Sequence, residues 1–115
     1  MADAARIIGR SSALEDAGPG LRFTVLRGGE VVPAFAVRFR GRVHAYVNEC
    51  RHQSSELDWE HGEFFEPGKL YLVCASHGAL YEPDTGLCVA GPCRGKKLAT
   101  VAVDERDGNV LCAGD

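Results

Sequence analysis

Ala34-Phe35-Ala36-Val37-Arg38-Phe39-Arg40-Gly41-Arg42-Val43-His44-Ala45-Tyr46-Val47 is the stretch on which the fold turns. It holds two runs of alternating character separated by Arg40-Gly41-Arg42, and glycine at such a place supplies the positive φ that a hairpin needs. Alternation over such short runs is the pattern of strands, so two antiparallel strands are expected here. Working outward, similar runs rich in Val, Phe, Leu and Tyr occur at Leu21 to Leu26, Leu70 to Val73, Ala79 to Glu82, Leu87 to Ala90, Leu98 to Val103 and Asn109 to Cys112. Asp84-Thr85-Gly86 and Asp107-Gly108-Asn109 mark two further tight turns. The one helical signal is Ser11 to Glu15, with Ser11 or Ser12 as cap, and Gly18-Pro19-Gly20 ends it at once. The chain therefore reads as all-β, with no internal repeat, low-complexity tract or domain boundary.

The chain has 115 residues, 45% of them apolar, which is enough for one compact domain and its core. Thirteen Lys and Arg against sixteen Asp and Glu give a net charge of −3, and the densest basic stretch is only Arg94 to Lys97. No basic face for nucleic acid is expected from this. The longest apolar run, Leu70 to Ala75, is far short of the roughly 20 residues that cross a bilayer, so no membrane partner is expected. Met1 to Arg10 lacks the pattern of a secretory leader, and a cytoplasmic location is expected. Five cysteines are an odd number. In a reducing compartment, metal or redox chemistry is a better account of them than a disulfide framework.

Two clusters concentrate that chemistry: Cys50-Arg51-His52 and Cys74-Ala75-Ser76-His77, with 21 residues between His52 and Cys74. Taken singly each is ordinary, since cysteine is often buried and a neighbouring histidine is usually incidental. Together they repeat one order, Cys then His, each at the end of a strand-like run, and two such loops on neighbouring strands can converge on one metal site. Two thiolates and two imidazoles complete a four-ligand set for zinc or iron. Cys74-x-x-His77 suits a zinc site, which leaves a zinc-binding structural or interaction module as an alternative. Cys50-x-His52 suits it less: in extended chain, residues i and i+2 lie about 6.6 Å apart on one side, a reach better matched to two neighbouring metal atoms.

Cys50-x-His52 followed by Cys74-x-x-His77-Gly78 resembles the ligand pattern of Rieske proteins, and the likeness continues through Tyr81-Glu82-Pro83-Asp84-Thr85-Gly86 and Gly91-Pro92. It spans about Ala34 to Val103. The resemblance implies an antiparallel β sandwich with a small cluster-binding subdomain of two loops, at about residues 48–58 and 72–94 of a single domain, 1–115. It implies one 2Fe-2S cluster per chain, with Cys50 and Cys74 on the buried iron and His52 and His77 on the outer one. Relatives in quinol-oxidising membrane complexes carry a disulfide between the loops; Ser55 and Ser76 stand at the matching positions, so no bridge forms there. The spacer is also longer than usual, with the excess expected in Trp59 to Gly68. The chain is thus similar to the soluble Rieske ferredoxins. Such proteins carry one electron between a reductase and a terminal oxygenase or similar acceptor, as monomers or weak oligomers, and have no catalytic residues. A second alternative is the small Rieske-like subunit of a larger reductase, such as nitrite reductase, but that chain commonly lacks the ligands present here.

The resemblance also bears on the reduction potential, because hydrogen bonds to the sulfurs stabilise the reduced state. High-potential relatives place a serine after the His-Gly pair and a tyrosine two positions beyond. Here these are Ala79 and Tyr81, one donor of two, and the potential is expected in the lower to middle part of the roughly −150 to +300 mV range. It should fall at alkaline pH as the iron-bound imidazoles lose a second proton. Cys88, Cys93 and Cys112 read as packed spare thiols, with a redox-responsive Cys88 and Cys93 pair as the sharper alternative. His44 and His61 are not expected as ligands. Glu56, Asp58, Glu60, Glu63 and Glu66 read as a solvated loop surface or, alternatively, as an acidic rim for a partner.

Overall fold

Arg40 and Gly41 both take positive φ, 52° and 83°, the two-residue turn whose twist matches that of the strands it joins. It connects β3 (Glu30–Phe39) to β4 (Arg42–Val47), with Ala36 opposite Ala45 and Arg38 opposite Val43. The structure, a computed structural model, describes residues 6–49, 56–58, 62–74, 78–91 and 94–112. On the other side of β3 lies β2 (Leu21–Arg27), joined through Gly28 and Gly29, so the first sheet runs β2-β3-β4. β1 (Arg6–Arg10), β8 (Val103–Arg106) and β9 (Asn109–Cys112) form a second sheet in the order β1-β9-β8. A third, much smaller sheet holds β5 (Leu72–Val73), β6 (Leu80–Tyr81) and β7 (Cys88–Ala90). All pairings within the three sheets are antiparallel.

The alternation in β3 and β4 serves two cores. Ala34, Ala36, Ala45 and Val47 face an aliphatic core with Leu14, Val25, Val101, Val110 and Cys112. Their neighbours Phe35, Val37, Phe39 and Tyr46 face the opposite way, onto Leu57, Phe64, Phe65, Leu72, Cys74, Ala79, Tyr81, Cys88 and Leu98. The β2-β3-β4 sheet is therefore the middle layer, a sandwich on one side and the floor of a smaller unit on the other. Phe35, with no exposed surface, stacks on Phe64 at 4.1 Å between ring centres. Burying one such side chain is worth about 2–3 kcal/mol.

The structure differs from the sequence expectations at several places. Leu98 to Val103 is not one strand: Ala99 and Val101 each make one backbone bond to the edge of β4, and the regular ladder begins at Val103. Leu70 to Val73 shrinks to Leu72–Val73, with Leu70 56% exposed beyond the sheet. β1 was not signalled, because its Arg6-Ile7-Ile8-Gly9-Arg10 has no clean alternation and its pairing with β9 shifts register between Ile7 and Gly9. The expected helical turn is a 3-10 turn at Ser11–Ala13, begun by Arg10 with no side-chain cap.

Candidate functional site

The described residues that lead into the two expected ligand clusters lie at strand ends, β4 closing at Val47 and β5 at Val73. Cys74 directly follows β5 and has no exposed surface. Its N–H donates to the Ala79 carbonyl and its carbonyl accepts from Gly78 N–H, both at 2.9 Å. These bonds pin together the two sides of the segment 75–77. Gly78 takes φ +71°, a conformation side-chain-bearing residues rarely adopt, which is why glycine stands there.

The first segment is anchored by Asn48, 1% exposed, at the end of β4. Its N–H donates to the Pro33 carbonyl at 2.8 Å. Its side-chain Oδ1 accepts from Leu57 N–H at 2.8 Å and its Nδ2 donates to Asp58 Oδ1 at 3.3 Å. Asp58 in turn accepts from Gly62 N–H at 3.1 Å, and Gly62 accepts from Gly20 N–H at 2.8 Å. Arg22 on β2 spans Glu56 at 2.8 Å and Asp58 at 3.5 Å. The acidic segment is thus only partly a solvated rim, for the Asp58 side chain is 2% exposed. Glu66 is spent locally as well: its carboxylate accepts from Leu70 and Gly68 N–H, which hold it below its ordinary pKa.

The stems of the two segments are joined through Tyr46. Its hydroxyl donates to the Pro83 carbonyl at 2.8 Å, in the turn between β6 and β7. Burial, reinforced by the Asp84 and Glu82 carboxylates, pushes this phenol well above its ordinary pKa, so it stays a donor. The Thr85-Gly86 pair has a physical reason here: a Cβ at Gly86 would come within 2.8 Å of the Tyr46 ring. Thr85 closes the same turn, its hydroxyl donating to Glu82 at 2.6 Å. Gly91 lies so close to Ala79 that a Cβ would be 2.8 Å from the Ala79 Cα, which brings the Gly91 segment onto the chain just after Gly78.

Of the four expected ligands, Cys74 is placed. Cys50, His52 and His77 lie outside the described residues, as do Ser55, Ser76, Trp59, Glu60, His61, Pro92 and Cys93. Among the described residues no group of three or more metal-ligating side chains gathers. Cys88 is buried and its Sγ donates to the Ala90 carbonyl at 3.2 Å, which suits a packed thiol. Cys112 is buried in the other core. Tyr81, with no exposed surface, shares a core with Cys74. His44 lies on β4 opposite Val37, its pKa lowered chiefly by burial. No helix among the described residues is long and apolar enough to cross a membrane.

The surroundings fit a sulfur-ligated inorganic cluster. A thiol without solvent access at a strand end, in one core with Leu57, Ala79, Tyr81 and Leu98, is what the buried side of such a group requires. Sequence reasoning missed Asn48 and Tyr46. The available signal was a polar side chain closing a strand immediately before a ligand pair, a place where Asn bonds readily to nearby backbone.

Residues 7–112 match the family model described as Rieske [2Fe-2S] domain. No curated protein matches the sequence. Among solved structures, the fold is similar to the ferredoxin of carbazole 1,9a-dioxygenase from Nocardioides aromaticivorans IC177, with TM-score 0.72, 21% identity and coverage of 97% of this chain and 99% of that one. It is similar to the Sphingomonas yanoikuyae B1 ferredoxin, with TM-score 0.69, 21% identity and coverage of 97% and 99%. The terminal oxygenase of carbazole 1,9a-dioxygenase from Novosphingobium sp. KA1 matches at TM-score 0.67 and 26% identity over 96% of this chain, but only 29% of that one. The match across nearly the whole chain settles the family: the chain belongs to the Rieske [2Fe-2S] domain proteins, whose cofactor is a 2Fe-2S cluster.

Proposed function

We propose that the chain is a Rieske-type ferredoxin that carries one electron between a ferredoxin reductase and a terminal oxygenase or similar acceptor. Cys50 and Cys74 would hold one iron by thiolate, and His52 and His77 the other by imidazole. The cluster supplies a one-electron couple; the protein supplies its ligands, its apolar wall and a docking face. Four protein ligands leave no open position on the irons, so the chemistry is transfer of charge and not transformation of a bound molecule.

The observation that carries this reading is the burial of Cys74, its backbone bonded to Gly78 and Ala79, within a chain aligned almost end to end with the ferredoxin of carbazole 1,9a-dioxygenase and with the Sphingomonas yanoikuyae B1 ferredoxin. One such ferredoxin, similar over 96% of this chain, is solved in complex with its oxygenase. The two imidazoles would supply the face at which partners dock, and meeting two partners in turn suits a monomer or weak oligomer in the cytoplasm. Spectroelectrochemical titration of the purified holoprotein tests the carrier role. A reversible, Nernstian, one-electron wave is expected; irreversible bleaching, or a step of two electrons, would overturn it.

A further inference from the structure

Asn48 has no place in the ligand set, yet it is the buried polar residue of the described chain and every polar atom of its side chain is engaged across the neck of the first loop. Its Oδ1 takes the N–H of Leu57, a residue with no exposed surface, and its own N–H is fixed to Pro33 in the middle sheet. Residue 48 and residue 57 are thereby tied side to side, and the chain between them carries Cys50 and His52. Asp58 extends the tie: held by Asn48 and by Gly62 N–H, it reaches Arg22 on β2, while Gly62 is bonded to Gly20 ahead of the same strand. Gly20 is itself wedged against the middle sheet, since a Cβ there would lie 2.8 Å from the Ala36 carbonyl and 2.9 Å from Val37.

We infer that Asn48 is a positioning residue for the cluster: with Asp58 and Arg22 it clamps both ends of the first ligand loop to the rigid middle sheet and so fixes where Cys50 and His52 meet Cys74 and His77. This rests on the ligand assignment proposed above. The physical case is preorganisation. Groups behind a metal's ligands orient them, and their loss typically weakens metal retention by about 10–100-fold. The second loop closes itself through backbone bonds at Cys74, Gly78 and Ala79. The first spans more residues between its fixed ends, and a side chain does the closing. Truncating Asn48 strands a buried N–H at Leu57 and removes one donor from a buried carboxylate, so the loop, not the sheet, gives way.

The test compares holoprotein variants by the rate at which the visible chromophore bleaches in the presence of a ferrous chelator, by the visible circular dichroism of the bound cluster, and by far-ultraviolet melting. Asn48→Ala should bleach about 10-fold faster or more, with altered visible dichroism. Val25→Ala, in the other core, supplies a control that lowers the melting temperature without touching the clamp. Arg22→Gln, a substitution at a partly exposed side chain, should fold normally and bleach faster by a smaller factor. The inference is overturned if Asn48→Ala bleaches no faster than Val25→Ala at matched loss of melting temperature with an unchanged dichroism spectrum. If Asn48→Ala does not fold, a wild-type bleaching rate in Arg22→Gln overturns it. A wild type without an iron-sulfur chromophore would instead refute the ligand assignment, so the two failures are distinguishable.

Discussion

The middle and second sheets, which form the sandwich, and the small sheet that carries Cys74 are built on different principles. β2, β3 and β4 pair over seven and six consecutive residues, and an aliphatic core lies beneath them. β5 and β6 pair over two residues each, and β7 joins β6 with a register shift. A unit with so few ladder bonds is marginal by itself. What replaces the ladder is a set of particular side-chain bonds: Asn48 to Leu57, Tyr46 to Pro83, Glu66 to its own turn and Thr85 to Glu82. The difference teaches that the sandwich is a scaffold stable on generic grounds. The small unit depends on specific groups.

Removing the cluster should divide the two regions most sharply, because metal binding and local folding are coupled. By hydrogen exchange with mass spectrometry, the anaerobic apoprotein should lose protection at residues 48–58 and 72–91 and keep it in β2, β3 and β9; equal loss everywhere would abolish the distinction. Phe35 lies on the wall both regions share, so Phe35→Ala should cost about 3–5 kcal/mol and lower the stability of both in denaturant melts. Tyr46→Phe removes only the donor to Pro83, and about 1–2 kcal/mol should be lost, seen as faster exchange around β6 and β7 with β2 unchanged. A smaller effect is expected on the potential. Ala79→Ser should raise it and Tyr81→Phe lower it, by a small fraction of the roughly 450 mV that Rieske centres span; no shift in either would remove the hydrogen-bond account.

Acid provides the mildest comparison. In the sandwich, Arg38 holds Glu105 below its ordinary pKa through a 2.6 Å bond, and Ser11 assists. In the small unit, Leu70 and then Gly68 N–H do the same for Glu66. A carboxyl depressed in the folded state contributes stability that is complete above its ordinary value of 4.5 and is lost as pH falls through the folded value. Both regions should therefore be insensitive above about pH 5 on this account and soften below pH 4.5. Glu105→Gln should cost about 1 kcal/mol or less at neutral pH and flatten the acid limb of the sandwich melt.

How much of this was legible in the sequence follows the same division. Regular alternation and Gly-marked turns announced β2, β3, β4 and β9, because the side chains of those strands sort by face, in β3 and β4 toward two different cores. The Cys-x-His and Cys-x-x-His pairs pointed to the family that the match over residues 7–112 shows, while of the four expected ligands Cys74 is the one among the described residues. β1 was silent because Gly9 and a register shift break its period. The segment 98–102 misled because only Leu98 and Val101 of its apolar residues are buried, and it meets β4 through an isolated bridge at Thr100 and not as a strand. Asn48 offered only its place at a strand end, because its bonds run to Leu57 and Asp58, and through Asp58 to Arg22, which chain spacing alone does not bring together.

The central claim is a 2Fe-2S cluster held by two cysteines and two histidines. Electron paramagnetic resonance of the dithionite-reduced, anaerobically purified protein, run beside iron and acid-labile sulfide analysis and beside His52→Ala and His77→Ala, tests it most directly. The account predicts two irons and two sulfides per chain and a single reduced-cluster signal that both variants lose. A lone divalent cation without sulfide, or a signal left intact when either imidazole is removed, would contradict it.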